Sequence, residues 1–390
     1  MKKGWQTKRL SEVSSMNYGY TESASSEPVG PRFLRITDIQ DDRVDWDRVP
    51  FCKIESADLP KYCLASGYIV FARTGATTGK SFLVNDPPSA VFASYLIRLR
   101  LLDQQLLPEF VSLFFQTAGY WQSIKEGSSG SAQGGFNATK LGELRIPVPP
   151  LSEQRRIVGL LDEAFGGLAT AQAHAAQNLQ NARDLFESHL NAVFTQRGES
   201  WVEKTLGDVC EFVGGSQPPK AVFSKAKTPD SIRLIQIRDY KSDSHVVYIP
   251  KSQAKRLCTV EDIMIGRYGP PIFQILKGLE GAYNVALMKA VPDEIQVNRG
   301  FLFYFLKHPA ILEYVIYHSE RAAGQIGVTK EALEAYPIAL PSLDKQAAIA
   351  TNIENLSAET QRLTRIYEQK LAALAALKKS LLHQAFSGEL

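Results

Sequence analysis

The chain repeats itself, and this internal repeat restricts the possible folds more than any other feature. The segment Trp5–Val13, with the pattern Trp-x4-Leu-x2-Val, returns as Trp201–Val209, and Leu190–Phe194 returns as Leu382–Phe386. The offsets are 201 − 5 = 196 residues and 386 − 194 = 192 residues, close to half of the 390 residues. The repeat predicts two similar domains, and a target or partner set that also has two parts.

Composition and charge place the chain in a broad class. Its 390 residues suffice for two or three domains, and its 44% hydrophobic and 22% charged residues are typical of a globular protein. No run of about 18 apolar residues and no apolar leader occur, so we expect a cytoplasmic protein without a membrane span. The four cysteines lack CxxC spacing, which indicates neither a zinc site nor a disulfide framework. The net charge of +3 permits nucleic-acid binding but does not establish it.

Each half divides into a mixed region and a helical region. We assign residues 1–149 to a first mixed domain, 150–197 to a long helix, 198–340 to a second mixed domain and 341–390 to a second long helix. Short β-type runs in the mixed domains are separated by glycine, proline, asparagine and aspartate. One helix is expected near residues 108–125 and another near 299–319. The β-type runs are Phe33–Ile36, Tyr68–Phe71, Leu96–Arg100, Leu234–Ile237, Ile263–Ile265 and Ala286–Met288.

The two long helices carry continuous apolar stripes with spacings of three and four residues and no internal proline. About 45 residues give roughly 67 Å of helix at about 1.5 Å per residue. A small domain cannot bury a stripe of that length alone, so we expect the helices to pack on each other, antiparallel. The predicted fold is α+β: two similar mixed α/β domains separated by a long antiparallel two-helix coiled coil, with a pseudo-twofold internal repeat. The predicted helix-pair interface comprises Ile157, Leu161, Leu168, Leu179, Phe186, Ile349, Ile353, Leu363, Leu371, Leu374 and Leu381.

Two short motifs resemble catalytic elements, but both depart from the patterns that the chemistry requires. Gly75–Ser81 resembles a phosphate-binding P-loop, yet it has three residues between its glycines where the P-loop has four. Asn85–Ser89 resembles the (Asn/Asp)-Pro-Pro-aromatic element of amino-methyltransferases, with serine at the aromatic position. The histidines show no closely spaced metal-ligand pattern, and no carboxylates are convincingly paired. We therefore expect recognition or scaffolding, with no catalytic, cofactor or metal site in this chain.

Loop elements repeated between the halves are more informative. A strand ending in Arg-x-Gly occurs at Arg73–Gly75 and Arg267–Gly269, and a strand leading to a polar turn ends at Asp38 and Asp239. Glycine-containing loops precede Lys140 and Lys330. Such side chains on loops contact phosphates and base edges, although they also occur in ordinary polar turns. The candidate DNA-binding residues are Arg35, Thr37, Arg73, Thr74, Lys80, Ser128, Ser129, Gln133, Lys140, Gln236, Arg238, Tyr240, Arg267, Tyr268, Gln325 and Lys330.

Taken together, these elements resemble the specificity subunit of type I restriction–modification systems over the whole chain. The resemblance rests on Phe71–Lys80, on Gln133–Pro147, on the Pro-Leu-Ser-Glu-Gln-Arg-Arg-Ile opening at residues 150–157, and on the ending Leu381–Leu390. The second domain departs from the pattern, because Pro270 and Pro271 stand where the first domain has alanine and threonine.

The resemblance implies a subunit that performs no chemistry. Its two target-recognition domains would each read one half of a bipartite, asymmetric target in double-stranded DNA. The helix pair would set the unread spacer and bind two modification subunits, which methylate adenine. Two restriction subunits join where the system has them. S-adenosylmethionine, ATP and Mg are then expected in the partner subunits, and the chain itself holds no cofactor.

Two alternatives stay open from the sequence. One is a structural coiled-coil adaptor that does not read DNA. The other is an enzyme, either a fused modification–specificity protein or a P-loop ATPase. The target sequence and the spacer length cannot be obtained from the residues.

Overall fold

A computed structural model describes residues 4–40, 43–102, 104–128, 135–196, 198, 200–269, 271–319 and 327–390. The chain divides into two compact units, residues 1–176 with 368–390 and residues 177–367. Each unit therefore contains one mixed domain together with one end of each long helix. Within the described residues, no helix is long and apolar enough to span a membrane.

The first mixed domain begins with a short strand that pairs with its last strand, so its two ends lie together. In this pairing Gln6 lies opposite Val148. Its strands are β1 (Gln6–Arg9), β2 (Ser14–Tyr18), β3 (Arg32–Leu34), β4 (Ile39–Gln40), β5 (Arg43–Val44), β6 (Ile69–Ala72), β7 (Ser81–Leu83), β8 (Ala90–Phe92), β9 (Leu96–Leu101) and β10 (Arg145–Val148). Its helices are α1 (Leu10–Val13), α2 (Leu59–Tyr62), α3 (Pro108–Phe114), α4 (Ala118–Ser128) and α5 (Ala138–Glu143), and α6 (Leu151–Thr195) follows.

An antiparallel sheet with the strand order β2-β9-β6-β7 forms the centre of this domain. Ile69, Phe71, Ile97 and Leu99 are completely buried in it, as expected for large apolar residues that pack across paired strands. Beside this sheet, β3 and β8 pair in parallel, with Phe33 opposite Val91. The carboxyl ends of β3 and β8 therefore point in the same direction.

The second mixed domain repeats this construction. Its strands are β11 (Val202–Thr205), β12 (Cys210–Gly214), β13 (Ser231–Ile235), β14 (Tyr248–Pro250), β15 (Leu257–Cys258), β16 (Ile263–Gly266), β17 (Gln274–Leu276), β18 (Gly281–Tyr283), β19 (Leu287–Pro292) and β20 (Pro337–Leu340). Its helices are α7 (Leu206–Val209), α8 (Arg299–Leu306), α9 (Pro309–Ser319) and α10 (Lys330–Glu334), and α11 (Leu343–Ser387) ends the chain. The sheet order β12-β19-β16-β17 matches that of the first domain, and β13 again pairs in parallel with β18. Each of the six predicted β-type runs overlaps a strand, namely β3, β6, β9, β13, β16 and β19, with bounds that differ by up to four residues.

The helices predicted near residues 108–125 and 299–319 are each two helices, so both predictions were wrong about continuity. In the first domain the break follows Phe114, and the side chain of Thr117 accepts a hydrogen bond from the backbone of Tyr120 at 3.2 Å. In the second domain Pro309 opens α9, because proline cannot continue a helix from the preceding turn.

Each unit contains two antiparallel helix segments that pack on the core of its mixed domain. In the first unit, Ile157 and Leu161 near the start of α6 share one apolar cluster with Leu382 and Ala385 near the end of α11. Phe110 of α3 also contacts this end of α11, since its ring lies 4.8 Å from that of Phe386. The helix ends are therefore buried by the mixed domain as well as by each other.

The second unit has the reverse combination, the end of α6 with the start of α11. Leu190, Phe194, Ala350 and Ile353 belong to its core cluster. The predicted fold class, with a long helix pair and two similar mixed domains, is confirmed.

The predicted interface residues are distributed over both units. Three of them, Ile157, Leu161 and Ile353, are 1% exposed, and Leu168 is 8% exposed. Leu381 packs on the first core, and Phe186 and Ile349 pack on the second core. The other predicted interface residues are half-buried: Leu179, Leu363, Leu371 and Leu374.

Candidate nucleic-acid interface

Five loop segments of the first domain meet at the carboxyl ends of β3, β6 and β8, where a chain of backbone hydrogen bonds joins them. Ala93 donates to Leu34 at 2.9 Å, Arg73 donates to Tyr95 at 3.1 Å, and Phe136 donates to Arg73 at 2.8 Å. We call this set the first loop cluster. It consists of residues 18–20, 35–38, 73–77, 93–95 and 135–138.

The second domain builds an equivalent set from the corresponding loops. Asn284 donates to Ile235 at 3.1 Å, Arg267 donates to Ala286 at 2.9 Å, and Val328 donates to Arg267 at 3.1 Å. We call this set the second loop cluster. It consists of residues 214–216, 236–240, 267–269, 284–286 and 327–329.

Close backbone approach at both clusters requires glycine. A Cβ atom at Gly19 would lie 2.2 Å from the carbonyl oxygen of Ala93, and one at Gly215 would lie 1.9 Å from that of Asn284. Both distances are shorter than any real contact of a Cβ atom, so no larger residue fits without a backbone shift. The two clusters therefore share the same backbone packing.

An arginine lies at the centre of each cluster, directly after the central strand. The guanidinium of Arg73 lies 4.9 Å from the ring centre of Tyr18. The hydroxyl of Tyr18 accepts a hydrogen bond from the backbone of Ala138 at 3.1 Å, which fixes the ring. Nε of Arg73 is buried and has no hydrogen-bond partner in the part of the chain that is described. The guanidinium is thus held against an aromatic face, an arrangement that favours recognition of planar or anionic groups.

Arg267, the equivalent residue, is held differently. Its Nε donates to the carbonyl oxygen of Val328 at 3.2 Å, and its guanidinium lies 5.2 Å from the ring centre of Tyr268. The tight turns after the two arginines use Gly75 and Gly269, whose φ angles of +77° and +92° are unfavourable for other residues. The repeated Arg-x-Gly pattern predicted this presentation of a guanidinium on a turn, although the aromatic partner of Arg73 was not predicted.

A second repeated element is a one-turn 3₁₀ helix closed by an aspartate. Asp38 accepts a hydrogen bond from the backbone of Arg35 at 2.8 Å, and Asp239 accepts one from the backbone of Gln236 at 3.0 Å. These carboxylates hold the shape of the turn, and each turn exposes the residue that precedes its aspartate. The exposed residues are Thr37 and Arg238.

The candidate residues at the start of these turns are less available for DNA contacts than the sequence indicated. Arg35 forms a two-bond ion pair with Asp38, which raises the pKa of the guanidinium. In the second cluster, Nε2 of Gln236 and the hydroxyl of Tyr240 are buried. Burial raises the pKa of the Tyr240 hydroxyl well above its usual value and also raises the pKa of Asp239. Tyr240 therefore belongs to the support of the turn.

The P-loop-like stretch is followed by strand β7, whereas a P-loop is followed by a helix whose N-terminus binds phosphate. Thr74 is half-buried before a single 3₁₀ turn, and Lys80 is exposed at the start of the edge strand. Lys80 also lines a groove of about 690 Å³ together with Lys378 and Lys379 of α11. Three lysines therefore contribute positive charge to this groove.

The remaining candidates lie beside the clusters or outside the described residues. Nζ of Lys140 donates to the carbonyl oxygen of Gly127 at 2.8 Å, and Lys330 pairs with Glu334 at 3.3 Å. Ser128 donates to the preceding turn of α4 at 2.6 Å. Three candidates lie outside the described residues: Ser129, Gln133 and Gln325.

Two buried glutamines form a repeated junction that sequence reasoning missed. Gln154 is completely buried; it accepts from the backbone of Leu107 at 2.9 Å and donates to the carbonyl oxygens of Gln105 and Pro149 at 2.7 and 2.9 Å. Gln346 repeats the three bonds, with Asn298, Gln296 and Pro341, at 2.8, 3.1 and 2.9 Å. The signal was the shared glutamine five residues after a proline in both helix openings, Pro149 and Pro341. Each junction ties the start of a long helix to the loop before α3 or α8.

Comparison with known proteins gives consistent matches over the whole length. The family described as the type I restriction modification DNA specificity domain matches twice, at residues 2–174 and 198–372. The chain is 23% identical to the type I restriction enzyme MjaX specificity subunit of Methanocaldococcus jannaschii, over 99% of this chain and 93% of that protein. It is 20% identical to the StySPI specificity subunit of Salmonella potsdam, over 99% and 89% of the two chains.

Solved structures show the same fold. A chain from a study of complex assembly and conformational transition of the type I R-M system superposes with a TM-score of 0.76 at 21% identity, covering 100% of this chain and 99% of that one. The HsdS subunit of Thermoanaerobacter tengcongensis gives a TM-score of 0.60 at 19% identity, covering 100% and 98%.

Proposed function

The chain belongs to the type I restriction modification DNA specificity family, and we propose that each of its two loop clusters reads one half of a bipartite DNA target. The family resemblance drawn from the sequence motifs is confirmed, and so is the role as a DNA-recognition subunit. The observation that supports the two-part reading is the duplicated cluster, in which the same backbone frame carries an arginine at its centre and an exposed side chain on an Asp-closed turn.

The chemistry of the clusters suits DNA. Arginine and threonine side chains on loops contact phosphates and base edges. Residues whose backbone is already fixed by hydrogen bonds make such contacts with little loss of conformational freedom. The chain carries a net charge of only +3. We therefore expect partner subunits to supply part of the phosphate neutralisation.

The helix pair would bind the partners and set the unread spacer. Each helix has 45 residues, about 67 Å at about 1.5 Å per residue. Half-sites on one face of a duplex lie about 34–36 Å apart per helical turn, which such a helix can span. Two equivalent helix openings favour two modification subunits, with S-adenosylmethionine and the flipped adenine bound in them. ATP and Mg would belong to restriction subunits where these are present.

The DNA-reading role is tested with the arginines at the centres of the clusters. In the reconstituted modification complex, Arg73→Ala and Arg267→Ala should each reduce affinity for the target at least tenfold while the complex still assembles. Arg362→Ala, on the exposed face of α11 and paired with Glu359, is the matched charge-removal control and should keep wild-type affinity. Unchanged DNA binding by both cluster variants would support the adaptor alternative.

The enzyme alternative is tested separately with the purified chain alone. We propose that it transfers no methyl group from labelled S-adenosylmethionine and hydrolyses no ATP. The departures of the Gly75–Ser81 and Asn85–Ser89 stretches from catalytic patterns support this expectation. Turnover without partner subunits would contradict it.

A further inference from the structure

The internal repeat separates what both loop clusters share from what distinguishes them. Asp38 corresponds to Asp239, and Arg73 corresponds to Arg267, so the turn closure and the central guanidinium are common to both. The exposed residue on the turn differs, because threonine in the first cluster is replaced by arginine in the second. A contact to phosphate is needed in both half-sites, whereas base contacts must differ if the half-sites differ.

The backbone places the two differing side chains equivalently. The residue before each turn is extended, with φ −111° and ψ 163° at Arg35 and φ −126° and ψ 158° at Gln236. Both turns follow a strand that pairs in parallel, and both are tied to the neighbouring strand end by the bond from Ala93 or from Asn284. Since both turns begin with the same backbone conformation, the two side chains occupy equivalent positions in the turn and differ in chemistry.

We propose that Thr37 and Arg238 are equivalent base-discriminating residues, one in each half-site, and that Arg238 binds a guanine. This inference rests on the proposed function and names the residues that carry its specificity. A guanidinium donates two parallel hydrogen bonds to O6 and N7 of guanine in the major groove. The Arg238 guanidinium is exposed and donates no hydrogen bond within the described ranges. Threonine offers a hydroxyl and a methyl group, which suit a different base pair.

A phosphate contact by Arg238 fits the repeat less well. A phosphate-binding cation would be expected at the equivalent position of the first cluster, which also approaches a DNA backbone. That position holds the uncharged Thr37. The shared arginines, Arg73 and Arg267, are better placed for the contact that both half-sites need.

The test compares variants of Arg238 in the reconstituted modification complex, with targets in which the second half-site is randomised one base pair at a time. Arg238→Ala should lose about 10- to 100-fold preference for guanine at one base pair, the range expected for one two-bond contact. Arg238→Lys keeps the positive charge but lacks the two parallel N–H donors of the guanidinium, so it should lose most of the same preference for guanine. Preference in the first half-site should stay unchanged.

The control is Lys251→Ala, an exposed cation at the opposite end of the β13–β14 pair from the turn. It should leave preferences unchanged at all positions. The reciprocal variant Thr37→Arg changes an exposed side chain and should create a guanine preference in the first half-site.

The results that would contradict these expectations can be distinguished from one another. If Arg238→Ala weakens all targets equally and lowers the slope of log affinity against log salt by about one, Arg238 contacts phosphate and the inference is wrong. If it changes neither preference nor affinity, Arg238 does not contact DNA and the inference is also wrong. If the wild-type complex shows no sequence preference in either half-site, the proposed function fails instead.

Discussion

Replacing a buried glutamine by leucine should release one helix start without affecting the other, because the two junctions lie in separate units. In Gln154→Leu the apolar side chain fills most of the space but can form none of the three hydrogen bonds. The backbone N–H of Leu107 and the carbonyl oxygens of Gln105 and Pro149 each lose the hydrogen bond to this side chain. A buried group left unpaired costs about 1–3 kcal/mol. With part of that cost relieved by water, the first unit should lose about 3 kcal/mol of local stability.

Hydrogen exchange of the full-length chain, followed by mass spectrometry, measures this effect locally. Exchange of the Leu107 amide should accelerate by about 100-fold, since every 1.4 kcal/mol is a factor of about ten. The equivalent amide of Asn298, bonded to Gln346, should keep its wild-type rate. Gln346→Leu should give the converse pattern.

Gln180→Leu on the exposed face of α6 is the matched control, because within the described residues its side chain bonds only to Asp184, one turn away. It should change neither amide. If Gln154→Leu leaves the exchange of Leu107 within about threefold of wild type, the glutamine does not hold the junction. If it accelerates both amides equally, the two junctions are not independent.

Three further predictions concern stability, assembly and reactivity. Burial lowers the pKa of His308 below its ordinary 6.5, so the unfolded chain binds this proton first as the pH falls. Its contribution to stability is therefore present above about pH 6.5 and is lost as the pH falls below that value. Urea unfolding of His308→Gln should show a smaller loss of stability on acidification, and an identical pH dependence would refute this. Leu168→Glu and Leu363→Glu should separate the helices and reduce co-purification of modification subunits, whereas Ala173→Glu on the exposed face should not; normal assembly of both leucine variants would contradict this. Under native conditions at pH 8 only Cys63 should react rapidly with a maleimide, and rapid labelling of a second thiol would disagree. Burial raises the pKa of the other thiols, to about 11 for Cys52 and Cys258 and about 12 for Cys210.

The long helices could be predicted from sequence because their signal is local. An apolar residue every three or four positions without proline predicted helices over 150–197 and 341–390, and the structure has α6 at Leu151–Thr195 and α11 at Leu343–Ser387. The repeat also predicted two similar mixed domains and the Arg-x-Gly turns. Apolar periodicity and the position of a glycine can both be read from the sequence without knowing which distant residues come into contact.

Features that depend on the folded geometry could not be predicted. Arg35 was a candidate reader because of its type, but its ion pair with Asp38 depends on the turn geometry. Tyr18 lies 55 residues before Arg73 in the sequence, so its contact with the guanidinium exists only in the folded sheet. The helix break after Phe114 has no proline to mark it in the sequence, whereas the break before α9 is marked by Pro309. A polar side chain on a loop therefore identifies a candidate DNA contact, but the sequence does not rank the candidates.

The central claim is that the two loop clusters read separate halves of one target. The most direct measurement exchanges residues 1–149 for the matching region of another family member and identifies methylated sites by single-molecule sequencing of DNA modified by the reconstituted complex. One half of the methylated sequence should change, while the other half should stay as in the wild type. A change in both halves, or in neither, would contradict it.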